Sequence, residues 1–272
     1  MHEGGFVGGN GFSKNGNLAA ARLQITCPQG ETGRRAPPVL SAHPTIRRMN
    51  ETADDLLPSE SLTEAISRYQ IELPAEQIAA LERYCRSLWE WNAQLNLTRH
   101  TAWDLFVARD LVDTLAFSQF LEEGESTLDV GTGGGVPGAP LAIVRPDLQV
   151  SLCESVAKKA KAVAEIVEES GLAIPVYHAR AELLLPDNNF DALLVRAVAP
   201  LPKLLTWFQP HWQHFERLLV LKGPKWVEER ATARERGLTR HVAIRKLHSY
   251  QSPTTGVEST LLGIWAKGEG SG

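Results

Sequence analysis

At 272 residues and 29.9 kDa, with 43% hydrophobic and 22% charged residues, the chain is long enough for one full domain plus a smaller appendage, and its composition excludes wholesale disorder. It has no run of about 18 apolar residues to suggest a transmembrane helix, and a net charge of −4 excludes a uniformly basic nucleic-acid coat while leaving room for a local basic face. Three cysteines (Cys27, Cys85, Cys153) lie far apart with no CxxC, which argues against a disulfide framework or a cysteine-built zinc site and for a reducing, cytoplasmic setting.

Residues 1–48 stand apart from the rest. They hold the run GGFVGGNG, Pro37-Pro38, and six basic residues against two acids, a local +4 that leaves −8 for the remainder. Low hydrophobicity with many Gly and Pro predicts a disordered tail, and no apolar stretch of a secretory signal follows the start. Met49 is the only other methionine and stands where ordinary composition begins. The expectation is a native start at Met49, with the upstream residues read from an over-extended frame. The rival expectation is a basic tail that touches RNA.

Residues 49–121 read as a helical cap. Leu62, Ile66 and Tyr69 fall at helix spacing. Pro74 is expected at the first position of a second helix, whose stripe runs through Ile78, Leu81, Cys85, Leu88 and Trp89 to Leu95. A third helix is predicted from Trp103 to Phe120. The tryptophans Trp89, Trp91 and Trp103 read as core residues rather than base-stacking platforms.

Residues 122–272 change rhythm. Apolar runs at Thr127–Val130, Val150–Cys153, Pro175–Tyr177, Ala192–Val195 and Leu218–Leu221 alternate with helical patterns at Ala139–Val144, Ala157–Ser170, Leu201–Trp212 and Trp226–Gly237. That alternation predicts a parallel sheet covered by helices on both faces. Val242–Tyr250 and Thr260–Ala266 have no helix between them, so they are expected to pair antiparallel. Five parallel strands with a terminal antiparallel hairpin point to an α/β, Rossmann-like, class I methyltransferase dependent on S-adenosylmethionine (SAM) more than to a dehydrogenase.

The segment Leu128-Asp129-Val130-Gly131-Thr132-Gly133-Gly134-Gly135-Val136-Pro137-Gly138 follows a strand and opens a helix. Glycines let backbone turn sharply and approach a ligand, and the helix start offers free N–H groups. Gly133, Gly135 and Gly138 fit the dinucleotide pattern GxGxxG. Asp129, two residues before Gly131, suits the ammonium of SAM and would repel a pyrophosphate. Pro137 is expected in a first-turn position. Glu154 ends the second strand, where a carboxylate takes ribose hydroxyls of SAM or NAD alike. Ala181 and Glu182 follow the third strand beside the expected adenine edge, and Arg196 follows the fourth, at the site's rim.

These motifs, with Trp91-Asn92, Asn96-Leu97-Thr98, Val195–Leu201 and the VLKG of Val220–Gly223, resemble the bacterial 16S rRNA guanine-N7 methyltransferase family of the RsmG/GidB type from roughly Glu72 to Lys267. The resemblance implies methyl transfer from SAM to N7 of one guanine in the 530 loop of 16S rRNA, position 527, in the small subunit or its assembly intermediate, by a monomer. It implies that Gly131, Gly133, Gly135 and Val136 line SAM, that Glu154 holds its ribose and Ala181 and Glu182 its adenine, and that Arg196 sits beside SAM near the target base, as both a cofactor-binding and a catalytic residue. It suggests Arg109 and Lys222 as substrate contacts. Two departures stand out. Asp110 occupies a position where the family usually has histidine, and Glu258 is followed by Ser259 rather than arginine.

The chemistry agrees with this reading. Guanine N7 has a free lone pair and needs positioning rather than a general base. No Ser/His/Asp or Cys/His constellation stands out, and His211 and His214 read as packing or surface residues, so no metal is implied. Nine basic residues against three acids between Arg217 and Lys246, and Lys158, Lys159 and Lys161, offer basic patches for RNA. Arg196→Ala is expected to impair methyl transfer far more than folding. The alternatives are a methyltransferase acting on another RNA or a small molecule, an NAD(P)-dependent oxidoreductase, and a non-catalytic assembly factor.

Overall fold

The strand–helix alternation that begins at Ser126 builds one seven-stranded sheet in the computed structural model, which describes residues 58–267. The expectations for residues 1–48 and for a start at Met49 lie outside the described residues. The strands are β1 (Ser126–Val130), β2 (Gln149–Glu154), β3 (Val176–His178), β4 (Phe190–Arg196), β5 (Phe215–Lys222), β6 (Val242–Gln251) and β7 (Glu258–Ala266). Their order is β3-β2-β1-β4-β5-β7-β6. β1 to β5 are mutually parallel, whereas β7 pairs antiparallel to both β5 and β6. This is the mostly parallel sheet with a terminal antiparallel hairpin that marks the class I methyltransferase fold.

The helices of the sheet region are α5 (Gly138–Val144), α6 (Ala157–Glu169), α7 (Ala181–Leu184), α8 (Leu201–Phe208) and α9 (Trp226–Glu235). Before them come α1 (Leu62–Arg68), α2 (Ala75–Leu95), α3 (Trp103–Leu105) and α4 (Val112–Ser118). Alternation along β4 decides the layers. Ala192 and Leu194 face a core shared with α2, α5 and α6, while Leu193 and Val195 face a core shared with α8 and α9. α2 therefore buries Leu81, Tyr84, Cys85 and Leu88 in the same core as one sheet face. Trp89, Trp91 and Trp103 pack half-buried against that core.

Several local expectations shift. Pro74 precedes α2 as its capping residue rather than opening it, with ψ 145° outside the helical range. Pro137 likewise precedes α5, whose first residue is Gly138. The helix predicted over Leu201–Trp212 stops at Phe208 and continues as a 3₁₀ turn, Gln209–His214, because Pro210 has no N–H to carry the α ladder onward. The third cap helix ends at Ser118, and its centre is a π-helical turn, Phe106–Leu111, joining α3 to α4. Such wide turns inside helices often mark functional positions. Nothing in the apolar spacing separates one from an ordinary helix.

Candidate active site

The glycine segment leaves β1 at the carboxyl edge of the sheet, where open α/β folds form their ligand crevice. Gly131, Gly133 and Gly135 have φ of +66°, +61° and +106°, values that glycine adopts without a Cβ penalty. The loop is tied to β2 below, because the N–H groups of Gly131 and Thr132 donate to the Cys153 carbonyl at 2.8 and 3.1 Å. It is held by the cap above. The Tyr84 hydroxyl donates to the Gly134 carbonyl at 2.8 Å, and a Cβ on Gly134 would lie 2.8 Å from Leu88. Gly134 and Gly135 are consequently buried, whereas Gly131 is exposed and Gly133 and Val136 are half-buried.

Nothing in the sequence sets Tyr84 apart, because it belongs to the buried apolar face of α2. It is fully buried, and burial pushes its hydroxyl well above the ordinary value, so it remains a donor. Tyr84→Phe would leave the Gly134 carbonyl unpaired, at a cost of about 1–3 kcal/mol. The expected outcome, read by thermal melting and SAM titration, is a lower melting temperature and weaker SAM binding from a loosened loop.

Asp129 points into the fold. It is 1% exposed, and its Oδ2 accepts from Thr132 Oγ1 at 2.5 Å and from the Gly138 N–H at 2.9 Å. A carboxylate at a buried strand end must find donors, and the nearest are the loop's own. The first N–H of α5 is thereby taken and not offered to a ligand. What Asp129 presents outward is chiefly its charge.

Burial raises the Asp129 carboxyl to about 6, with the Thr132 and Gly138 hydrogen bonds only partly opposing it. A raised folded-state pKa means that the folded protein holds this proton more tightly than the unfolded chain does. Ionisation therefore costs stability as pH rises from about 4 to about 6, by roughly 3 kcal/mol in total at 1.36 kcal/mol per unit. Asp129→Asn keeps an acceptor for both donors and removes that penalty. The melting temperature of the variant minus that of the wild type is expected to grow between pH 4 and 6 and to level off above, while SAM affinity falls. A difference that shrinks over that range would contradict the assignment.

Glu154 is aimed by two backbone donors. The Gly133 N–H reaches its Oε2 at 3.1 Å and the Val156 N–H its Oε1 at 2.8 Å. Each oxygen keeps acceptor capacity for a hydroxyl, so the carboxylate can take a vicinal diol. Beyond β3, Ala181 is buried and Glu182 pairs with Arg180 at 2.8 Å. Burial pushes the neighbouring Cys153 thiol up to about 12, so it stays neutral and donates to the Ala179 carbonyl.

Arg196 closes β4 and meets the π-helical turn and α4. Its Nη2 lies 2.5 Å from Asp110 Oδ1 and its Nε 3.2 Å from Asp113 Oδ2. The Tyr250 hydroxyl donates to Asp113 from β6. Asp110 and Asp113 are three residues apart, so one helical face presents both. Burial pushes the Asp110 carboxyl up, but the His100 hydrogen bond and the Arg196 charge outweigh it and hold Asp110 below the ordinary value. Burial wins at Asp113, which is raised. The residue after Arg196, Ala197, has φ +55°, a left-handed conformation that costs a non-glycine residue roughly 1–2 kcal/mol. Arg196 Nη1 is buried and has no hydrogen-bond acceptor among the described residues.

The other two expected contacts turn elsewhere. Arg109 Nη1 donates to Ser252 Oγ at 3.1 Å and to Thr255 Oγ1 at 3.4 Å, tying the π-helical turn to the β6–β7 connection. Lys222 Nζ donates to the Ala199 carbonyl at 2.6 Å and pairs with Glu229 at 2.8 Å, so its ammonium braces the turn behind Arg196 from inside the fold. Of the basic run from Arg217 to Lys246, Arg217 also turns inward, onto Glu125 at 2.5 Å, while Arg230, Arg234, Arg236 and Arg240 face solvent.

Sequence comparison agrees with this architecture. The family model described as rRNA small subunit methyltransferase G (GidB) matches residues 77–255. A protein of Rhodopirellula baltica named Ribosomal RNA small subunit methyltransferase G is 49% identical over 186 residues, covering 68% of this chain and 80% of that one. Proteins of the same name from Mycobacterium avium and Pseudomonas aeruginosa are 36% and 33% identical over 156 and 178 residues. Those matches cover 56% and 65% of this chain, and 64% and 83% of theirs. With the family match spanning well over half its length, the chain belongs to the rRNA small subunit methyltransferase G family, a family of SAM-dependent methyltransferases.

Proposed function

We propose that this protein transfers the methyl group of SAM to N7 of a guanine in the 530 loop of 16S rRNA, acting on the small subunit or its assembly intermediate. The observation that carries the reading is the charge of the cluster beneath the glycine loop. Two buried carboxylates, Asp110 and Asp113, are ion-paired with Arg196, and a third, Asp129, is buried near enough to feel the same charge. An anionic excess of this kind suits a reaction in which positive charge enters on the methyl donor and ends on the methylated ring.

The bound cofactor supplies an electrophilic methyl group on a sulfonium. Gly131, Gly133 and Val136 form the open wall of its cradle, and the free space around the Gly133 Cβ position fits a close ligand approach. Glu154 accepts the ribose hydroxyls, and Ala181 and Glu182 border the adenine. Arg196 Nη1, which has no acceptor among the described residues, offers a hydrogen bond to an oxygen of the base or of the cofactor. Guanine N7 carries its lone pair without deprotonation, so these residues align and stabilise rather than remove a proton. The solvent-facing arginines of α9 and the turn after it supply phosphate contacts.

The test is transfer of labelled methyl from SAM to small subunits from a strain lacking this enzyme, followed by mapping at guanine N7. Label at one guanine of the 530 loop is the expected result. SAM binding without RNA labelling would overturn the substrate and leave the cofactor site standing.

A further inference from the structure

His100 belongs to none of the motifs above, yet it reaches the centre of the Arg196 cluster. It lies in the connection between α2 and α3, whose backbone is pinned at several points. Thr98 N–H donates to Asn92 Oδ1 at 2.8 Å, His100 N–H to Thr98 Oγ1 at 2.9 Å, and Trp89 Nε1 to the His100 carbonyl at 2.9 Å. The same connection carries Leu97, which packs on Gly134. The backbone that carries the ring is therefore pinned beside the glycine loop. The ring Nδ1 stands 3.0 Å from both oxygens of Asp110. An ionised carboxylate only accepts, so Nδ1 carries the hydrogen.

This contact decides how Asp110 meets Arg196. A carboxylate facing a guanidinium commonly takes two parallel N–H bonds. Here only one forms, Nη2 to Oδ1, and Nη1 is left buried without an acceptor among the described residues. His100, shared between both Asp110 oxygens, opposes the rotation that would bring Oδ2 onto Nη1. We propose that His100 is a positioning residue for methyl transfer: it holds Asp110 in single-bond contact with Arg196 and so keeps Arg196 Nη1 free for the reacting complex. The inference rests on the reading of Arg196 as a residue of the transfer site. It also gives the departure at Asp110 a physical sense, since the imidazole arrives from the loop and the carboxylate from the helix.

The role makes an unusual demand. Without His100, Asp110 swings onto both nitrogens of Arg196, which satisfies a buried donor while disabling it. His100→Ala is therefore expected to melt close to the wild-type temperature and to bind SAM nearly as well, yet to lose about tenfold or more in kcat for small-subunit methylation, which is about 1.4 kcal/mol in the barrier. His100→Asn, whose amide N–H stands close to the place of Nδ1–H, is expected to restore most of that loss. A substrate-free readout accompanies these. The Arg196 side-chain Nε–H resonance, identified by its loss in Arg196→Lys, should shift in His100→Ala and return in His100→Asn.

An unchanged resonance in His100→Ala overturns the proposal, as does unchanged kcat. Equal losses in both variants together with a lowered melting temperature also overturn it, by showing a packing role. A wild type that binds SAM but labels no rRNA overturns the proposed function instead, and the resonance then tests the Asp110–Arg196 geometry by itself.

Discussion

Gly133→Val is expected to yield a folded protein that binds SAM at least about a hundredfold more weakly. The glycine sits at φ +61°, so valine pays a left-handed backbone cost of roughly 1–2 kcal/mol, a drop of a few degrees in melting temperature. Among the described residues, its two chain neighbours aside, nothing lies within 4 Å of the Cβ position. The side chain instead fills the open side of the loop, beside the Glu154 carboxylate that accepts the Gly133 N–H. Affinity should fall about a hundredfold or more, near 2.7 kcal/mol, as read by calorimetric titration. Gly138→Ala is the contrasting substitution. Its Cβ would stand 2.2 Å from Leu152 Cδ2 and 2.9 Å from Asp129 Cβ, inside the packing of β2 and β1. Both neighbours are buried strand residues, so the overpacking is expected to cost about 1–3 kcal/mol and to lower the melting temperature by roughly 2–12 °C. Micromolar SAM binding by Gly133→Val would remove the loop from the cofactor site. A wild-type melting temperature for Gly138→Ala would contradict the packing of the loop on the sheet.

Arg196→Ala is expected to damage folding as well as methyl transfer, contrary to the expectation from sequence. Its guanidinium is ion-paired with two buried carboxylates, Asp110 and Asp113. Removing one partner of a buried pair leaves uncompensated charge and costs about 3–5 kcal/mol. At about 2–4 °C per kcal/mol for a domain of this size, the melting temperature should fall by roughly 6–20 °C. Arg196→Lys keeps the charge but loses the fork that serves Asp110 and Asp113 together. It is expected to recover much of the stability and little of the transfer. The lysine variant thus separates the structural from the chemical role. Thermal melting beside single-turnover methylation makes the measurement, and full activity in either variant would remove Arg196 from the site.

The sheet was legible because its signals are local. Each buried parallel strand is a short apolar run, each crossover carries helical spacing, and two strands with no helix between them can only pair antiparallel. All five parallel strands and the hairpin follow these rules to within a few residues. The glycine loop was legible for the same reason: a turn that needs positive φ at Gly131, Gly133 and Gly135 shows it in residue type. Glu154 at the end of β2 followed from its place in the alternation.

The Arg196 cluster could not be read this way. Its members come from the loop after α2, the π-helical turn, α4, β4 and β6, and Arg196 and Asp110 alone are 86 residues apart. Sequence spacing carries no information about which buried charges face each other across a sheet edge. The same holds for Lys222, which the family resemblance offered as a substrate contact and whose surroundings turn it onto Glu229, and for Asp129, whose burial raises its carboxyl and binds it to its own loop. Residue type and period decide the local backbone. Desolvation decides which charges must pair, and that is settled only when distant segments are packed together.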